Sequence, residues 1–137
     1  MSRVSAKLAR SVALRAGRCC EYCQLPDGEC VFGFQPDHII AVKHGGPTNL
    51  ENLAWTCFYC NSYKGACVAG YDLETGRLTR LYNPRRDVWS QHFKWKGGRI
   101  LGRTAVGRTT AAVLNLNHPD SVSIREHLIA EGVMRTG

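Results

Sequence analysis

No stretch of this 137-residue chain approaches the roughly 18 consecutive apolar residues that a membrane span requires. The first eighteen positions also lack the uninterrupted apolar run of a secretory signal, because Lys7, Arg10 and Arg15 interrupt it; the expected location is the cytoplasm. Acidic residues are scarce, 11 against 18 Lys and Arg, which leaves a net charge of +7 and favours a polyanionic partner, since cations gain affinity by releasing counterions from phosphates. There is no internal repeat and no low-complexity tract. Seven cysteines is a high count, but an odd one, and it argues against a fully paired disulfide framework. In a reducing compartment close cysteine pairs bind metal more readily than each other. With 44% hydrophobic and 21% charged residues, the composition is that of an ordinary soluble protein with one modest core, a single domain spanning residues 1–137.

Periodicity predicts an amphipathic helix over Ser5–Ala16, stopped by Gly17. Cys19 to Gly33 reads as a metal-organised loop, Val31–Ile40 as an extended stretch, and Gly45-Gly46-Pro47 as a surface loop. A short apolar strand over Leu53–Thr56 and a short helix over Cys57–Lys64 follow, giving the order strand, loop, strand, helix. Beyond Gly65 the sequence predicts two hairpins, Tyr71–Tyr82 around Glu74-Thr75-Gly76 and Phe93–Leu101 around Gly97-Gly98. A helix capped by Thr104 and running to about Leu116 comes next, then an amphipathic helix over Ile124–Glu131 ended by Gly132.

The cysteine spacing carries the strongest chemical signal. Cys20-x-x-Cys23 and Cys57-x-x-Cys60 are two pairs in which a two-residue gap lets both sulfurs face one ion, the pattern of a tetrahedral structural Zn²⁺ site. Cys19 competes with Cys20 but lacks the two-residue gap to Cys23, and Cys30 and Cys67 read as ordinary thiols. Between the pairs stand Asp37-His38-Ile39-Ile40, then Gly45-Gly46-Pro47-Thr48 and Asn49-Leu50-Glu51-Asn52-Leu53. The second pair runs on into Asn61-Ser62-Tyr63-Lys64-Gly65.

This ordered pattern over about residues 18–66 resembles the HNH endonuclease family. Leu81-Tyr82-Asn83-Pro84-Arg85, Trp89-Ser90-Gln91-His92-Phe93 and Gly107-Arg108-Thr109 look like a bacterial subgroup of stand-alone HNH proteins. The resemblance implies an α+β fold: a small ββα-metal core with four-cysteine zinc knuckles, an N-terminal helix, and a C-terminal extension over residues 67–137 made of hairpins and helices. It also implies a Mg²⁺- or Mn²⁺-dependent hydrolase that cuts DNA phosphodiester bonds, leaving a 5′-phosphate and a 3′-hydroxyl.

Asp37 offers the hard oxygen that Mg²⁺ prefers, and His38 can take a proton from water near neutral pH. By resemblance Asn52 orients His38, and Asn61, standing where the founding pattern has a histidine, is the second ligand of the catalytic ion. Adjacent strand residues point to opposite faces, so a bend is expected where Asp37 and His38 serve one centre.

Softer candidates for substrate contact are Lys64, His44, Arg85 and His92. Lys64 reads equally as a solvated lysine, His44 as an idle loop residue and His92 as a structural histidine, and Asn49 reads as a turn residue. Arg85, Arg86, Lys94, Lys96, Arg99, Arg103 and Arg108 form a basic stretch interleaved with Trp89, Phe93 and Trp95. The cations suit a DNA backbone, and the aromatics suit packing against the core. The expected partner is double-stranded DNA, bound by a monomer or homodimer. A competing reading from another class is a non-catalytic zinc-ribbon module that binds nucleic acid, which would need the cysteines but not Asp37, His38, Asn52 and Asn61.

Overall fold

A computed structural model of the chain describes residues 4–29 and 33–136; Cys30 and the start of the expected 31–40 stretch lie outside them. Helix α1 (Ala6–Arg15) begins where the Ser5 hydroxyl accepts a hydrogen bond from the Leu8 amide at 3.1 Å. It buries Val12 and Ala13. Strand β1 (Gln35–His38) pairs antiparallel with β2 (Leu53–Thr56), and helix α2 (Phe58–Lys64) follows directly. The predicted strand, loop, strand, helix order is therefore present.

Strands β3 (Ala69–Tyr71) and β4 (Leu78–Arg80) form a second hairpin, and β5 (Phe93–Lys96) and β6 (Arg99–Gly102) a third. Lys96 pairs with Arg99, so Gly97-Gly98 closes the tight turn expected of it, whereas the β3–β4 hairpin closes through the wider loop 72–77. A one-turn helix, α3 (Trp89–His92), runs straight into β5. Helices α4 (Ala105–Val113) and α5 (Pro119–Ala130) complete the chain. Five α-helices and three two-stranded sheets among the described residues make this an α+β fold.

Two helix boundaries differ from expectation. The Thr104 cap is as predicted, its hydroxyl accepting from the Gly107 amide at 3.1 Å, but α4 stops at Val113 because Asn115 takes a left-handed φ of 47°. Helix α5 starts five residues earlier than Ile124. Pro119 sits in its first turn, where a missing N–H costs nothing, and the His118 ring accepts from the Asp120 amide. The expected surface loop is also only partly exposed. Gly45 and Pro47 face solvent, but Gly46 is buried, and a Cβ there would stand 1.7 Å from the Ile40 carbonyl oxygen.

One apolar cluster joins the two ends of the sequence: Tyr22, Leu25 and Ala54 lie with Phe93, Ile100, Leu114, Leu116 and Leu128. The aromatic residues of the basic stretch belong to it. Trp89 stacks near Phe93 and Trp95 at centroid distances of 5.1 and 5.4 Å, and its indole N–H donates to the Tyr22 carbonyl at 2.8 Å. Arg125, 1% exposed, lies within this core over the Trp95 ring and donates to the carbonyls of Gly98 and Leu116 at 2.8 and 2.7 Å. Among the described residues no helix is long and apolar enough to cross a membrane.

Candidate metal centre and active site

The four cysteines singled out by spacing converge. Their sulfurs lie within 4.8 Å of one another, all buried, and Cys23 Sγ is 3.6 Å from Cys57 Sγ. Tetrahedral zinc with Zn–S bonds of about 2.3 Å places its sulfurs roughly 3.8 Å apart, so the cage fits that ion. Each pair also has the backbone geometry of a thiolate clamp: the Cys23 amide points at Cys20 Sγ at 3.5 Å, and the Cys60 amide at Cys57 Sγ at 3.4 Å. Neighbouring sulfurs and burial push the Cys23 and Cys60 thiols up, while hydrogen bonds from the other three push Cys57 down. Four thiolates in a dry cage require a cation, and their number, chemistry and spacing suit a structural zinc ion. Cys19 is half-buried and Cys67 exposed, and neither joins the cluster.

The first knuckle is stitched to β2. The Glu21 amide donates to the Trp55 carbonyl at 2.8 Å, and the Trp55 amide returns a bond to Glu21 Oε2 at 2.7 Å. The Cys20 pair thereby stands beside the Cys57 pair, which caps α2. Arg15 adds a second tie, donating to the carbonyls of Leu50 and Leu53 at 2.7 and 2.6 Å and fixing α1 against the turn that precedes β2.

On this frame β1 presents Asp37 and His38 from its last two positions. No bend separates them: both pair regularly with β2, Asp37 opposite Ala54 and His38 opposite Leu53, and the chain bends only at Ile39. Alternation sends the two side chains to different partners. Asp37 Oδ2 meets Lys64 Nζ of α2 at 2.9 Å. His38 Nε2 lies 2.8 Å from Thr48 Oγ1.

Lys64 is 2% exposed and also donates to the His38 carbonyl at 3.0 Å, so it is neither solvated nor a free phosphate ligand. It locks the end of β1 onto α2. Even with this ammonium alongside, burial pushes the Asp37 carboxyl up, and its Oδ2 accepts no well-aligned hydrogen bond. The charged form is thus incompletely compensated by the protein.

Asn52 sits where the loop closes, with its amide spent on backbone. Oδ1 accepts from the Ile40 amide at 2.9 Å, and Nδ2 donates to the carbonyls of Ile40 and Pro47 at 2.9 and 2.8 Å. It makes no bond to the His38 ring. It holds the segment from Ile40 to Pro47, and hence Thr48, in place, and the ring contact belongs to Thr48, which the sequence pattern did not single out.

Asn61 lies one turn before Lys64 on α2, half-buried, its side chain without a protein partner among the described residues. Asp37 and Asn61 are both oxygen donors, the class that a hard cation takes. One carboxylate with water and substrate phosphate completing the shell is a common way to hold Mg²⁺. These residues fit such an ion in chemistry, although apart from the four cysteines no group of three or more His, Cys, Asp or Glu ligand atoms clusters among the described residues.

The softer candidates separate. His44 lies exposed in a 3-10 turn, Val42–His44, with no side-chain partner among the described residues. Arg85 forms an ion pair with Glu21 of the first knuckle. His92 is held by Thr104, Nδ1 to Oγ1 at 2.6 Å, with Asp87 3.8 Å from Nε2, the surroundings of a structural histidine. Arg108 donates to both Asp72 oxygens at 3.1 and 3.0 Å. Lys94, Lys96, Arg99 and Arg103 make no ion pair among the described residues, and the first three share the outer face of the β5–β6 ribbon, whose other face buries Phe93 and Ile100.

Comparison with known proteins now bears on this geometry. Residues 20–66 match the HNH endonuclease family. The match takes in both cysteine pairs, Asp37, His38, Asn52, Asn61 and Lys64, and spans 47 of the 137 residues. No curated protein and no solved structure matches the chain. The matched segment is thus one in which a four-sulfur cage lies beside a strand ending in Asp-His.

Proposed function

We propose that this protein is a metal-dependent HNH endonuclease that hydrolyses phosphodiester bonds in DNA. The single observation that carries the reading is the end of β1. Asp37 and His38 are adjacent there, each held by its own partner, inside the segment that matches the family.

His38 is the general base. In the tautomer in which Nε2–H donates to Thr48 Oγ1, the lone pair lies on Nδ1 and takes the proton from the attacking water. Asp37, with Asn61, would hold the Mg²⁺ or Mn²⁺ ion, which when bound neutralises charge growing on the phosphate and helps the leaving oxygen. Lys64 fixes the carboxylate relative to α2, and Asn52 fixes the loop that carries Thr48. The structural Zn²⁺ belongs to the four cysteines and takes no part in the chemistry.

The net charge of +7 and the unpaired cations of the β5–β6 ribbon support DNA as the partner. A monomer nicks one strand at a time, and a homodimer would cut both; the reduced thiols suit the cytoplasm. A zinc-ribbon module that binds DNA without cutting it is the reading that this one must beat. Supercoiled plasmid incubated with the zinc-loaded protein separates them: nicking that appears only with added Mg²⁺ or Mn²⁺ is the expected result, and intact plasmid with every divalent ion tried favours the binding module.

A further inference from the structure

A cleft of about 390 Å³ opens between α2 and the turn Asn83–Asp87. Its near wall adjoins the proposed active site: Ile39 and Ile40 directly follow His38, and Lys64 holds Asp37. The far wall is a turn held by hydrogen bonds of its own. The Asp87 carboxylate accepts from both terminal nitrogens of Arg80 at 2.7 and 3.0 Å and from the Asn83 amide at 2.8 Å. Asn83 Oδ1 accepts from the Arg85 amide at 2.9 Å, and the Asn83 carbonyl from the amides of Arg86 and Asp87 at 3.1 and 2.8 Å.

Within this pinned turn two neighbouring arginines diverge. Arg85 reaches Glu21 on the zinc knuckle, whereas Arg86 lines the cleft, exposed, with no acceptor among the described residues. A guanidinium on a backbone already fixed by six hydrogen bonds gives up only side-chain freedom on taking a ligand, because the turn that carries it is already ordered. Its planar fork suits a phosphate, and the apolar wall of Ile40, Val68 and Leu81 suits a sugar.

We propose that Arg86 binds a phosphodiester flanking the one that is cut, with the adjoining sugar against the apolar wall. The proposal rests on the nuclease reading for the position of the cut. Arg86 shares this cleft with Ile39 and Ile40, which directly follow His38, so the contacted phosphate lies within about three nucleotides of the nick.

The test is duplex binding by the zinc-loaded protein without added Mg²⁺ or Mn²⁺, over a range of salt. Arg86→Ala raises Kd about tenfold or more and lowers the slope of log K against log salt by about one, and Arg86→Lys restores the slope. Duplexes carrying one neutral methylphosphonate at each successive linkage then locate the contact. Wild type loses affinity at a linkage within about three nucleotides of its nick, and Arg86→Ala is insensitive at that linkage. Wild-type affinity and slope in Arg86→Ala overturn the proposal, and if wild type nicks plasmid in Mg²⁺ or Mn²⁺ the nuclease reading survives that result. A sensitive linkage far from the nick overturns the placement. Failure of wild type to nick any DNA sinks the nuclease reading, and with it the flanking position, even if the Arg86 contact is seen.

Discussion

The segment 20–66 and the remainder of the chain are built on different physical principles. The first is small and lends Tyr22, Leu25 and Ala54 to the shared apolar cluster, but its own order comes largely from a sulfur cage and from side chains bonded to backbone: Asn52 to Ile40 and Pro47, Arg15 to Leu50 and Leu53, Lys64 to His38. The second is held by apolar layers, with Phe93, Ile100, Leu114 and Leu128 buried and one guanidinium, Arg125, threaded among them. The difference teaches where information sits. A metal-organised segment writes its structure in residue identity and spacing, whereas a segment held by packing writes it in surfaces that meet only after folding.

The sharpest way to break this contrast is to remove the metal. Cys57→Ser, or chelation of the wild type, abolishes zinc binding and the cooperative unfolding of segment 20–66, because structural zinc contributes on the order of 10 kcal/mol or more. Metal analysis and thermal unfolding check it. Unchanged zinc stoichiometry and an unchanged midpoint in Cys57→Ser would remove the four-sulfur site from the account.

A smaller effect is expected in the second region. Arg125→Met removes a buried charge that satisfies two carbonyls and lies in electrostatic reach of the four sulfurs. Losing one member of such an arrangement costs about 3 kcal/mol, read as a drop in urea midpoint with zinc content retained. A variant as stable as wild type would mean that packing alone holds this half. A variant that also loses zinc would mean that the two regions are less separable than drawn.

The smallest effect concerns the pair that fastens the β3–β4 loop to α4. Hydrogen bonds from Arg108, then Thr75 and the Glu74 amide, hold the Asp72 carboxyl well below the usual carboxylate range despite its burial. A depressed carboxyl stabilises the fold above its unfolded pKa of about 3.9, and that stability is lost as the pH falls through the lower folded value. The stability gap between wild type and Asp72→Asn is therefore constant from pH 8 to about 5 and closes only in stronger acid. A gap that narrows already at pH 6 would show that the pair does not hold the carboxyl down.

Legibility followed the same division. Cys20, Cys23, Cys57 and Cys60 were readable from spacing, because ligand geometry is encoded locally, and Asp37 and His38 stand together at the end of β1 as the pattern led one to expect. Thr48 was not, since nothing in a Pro-Thr-Asn loop tells that a hydroxyl closes on a ring ten residues upstream. Lys64 was read as a substrate contact or a solvated lysine, and its burial depends on a carboxylate that arrives from a strand. The basic stretch shows the limit most clearly. Arg85 and Arg86 are equivalent in sequence, and only the fold assigns one to Glu21 and the other to the cleft. Gly46 and Gly107 could be read as turn and helix-weakening residues, but the close approach of Ile40 and His92 carbonyls to them needed the packed chain.

The most direct test of the whole account is single-turnover nicking by His38→Ala, zinc-loaded and in Mg²⁺ or Mn²⁺, beside duplex binding by the same protein. A general base contributes about 10²–10⁴-fold, so the account predicts a rate reduced by that factor with zinc content and DNA affinity nearly unchanged. Cleavage at the wild-type rate would contradict it.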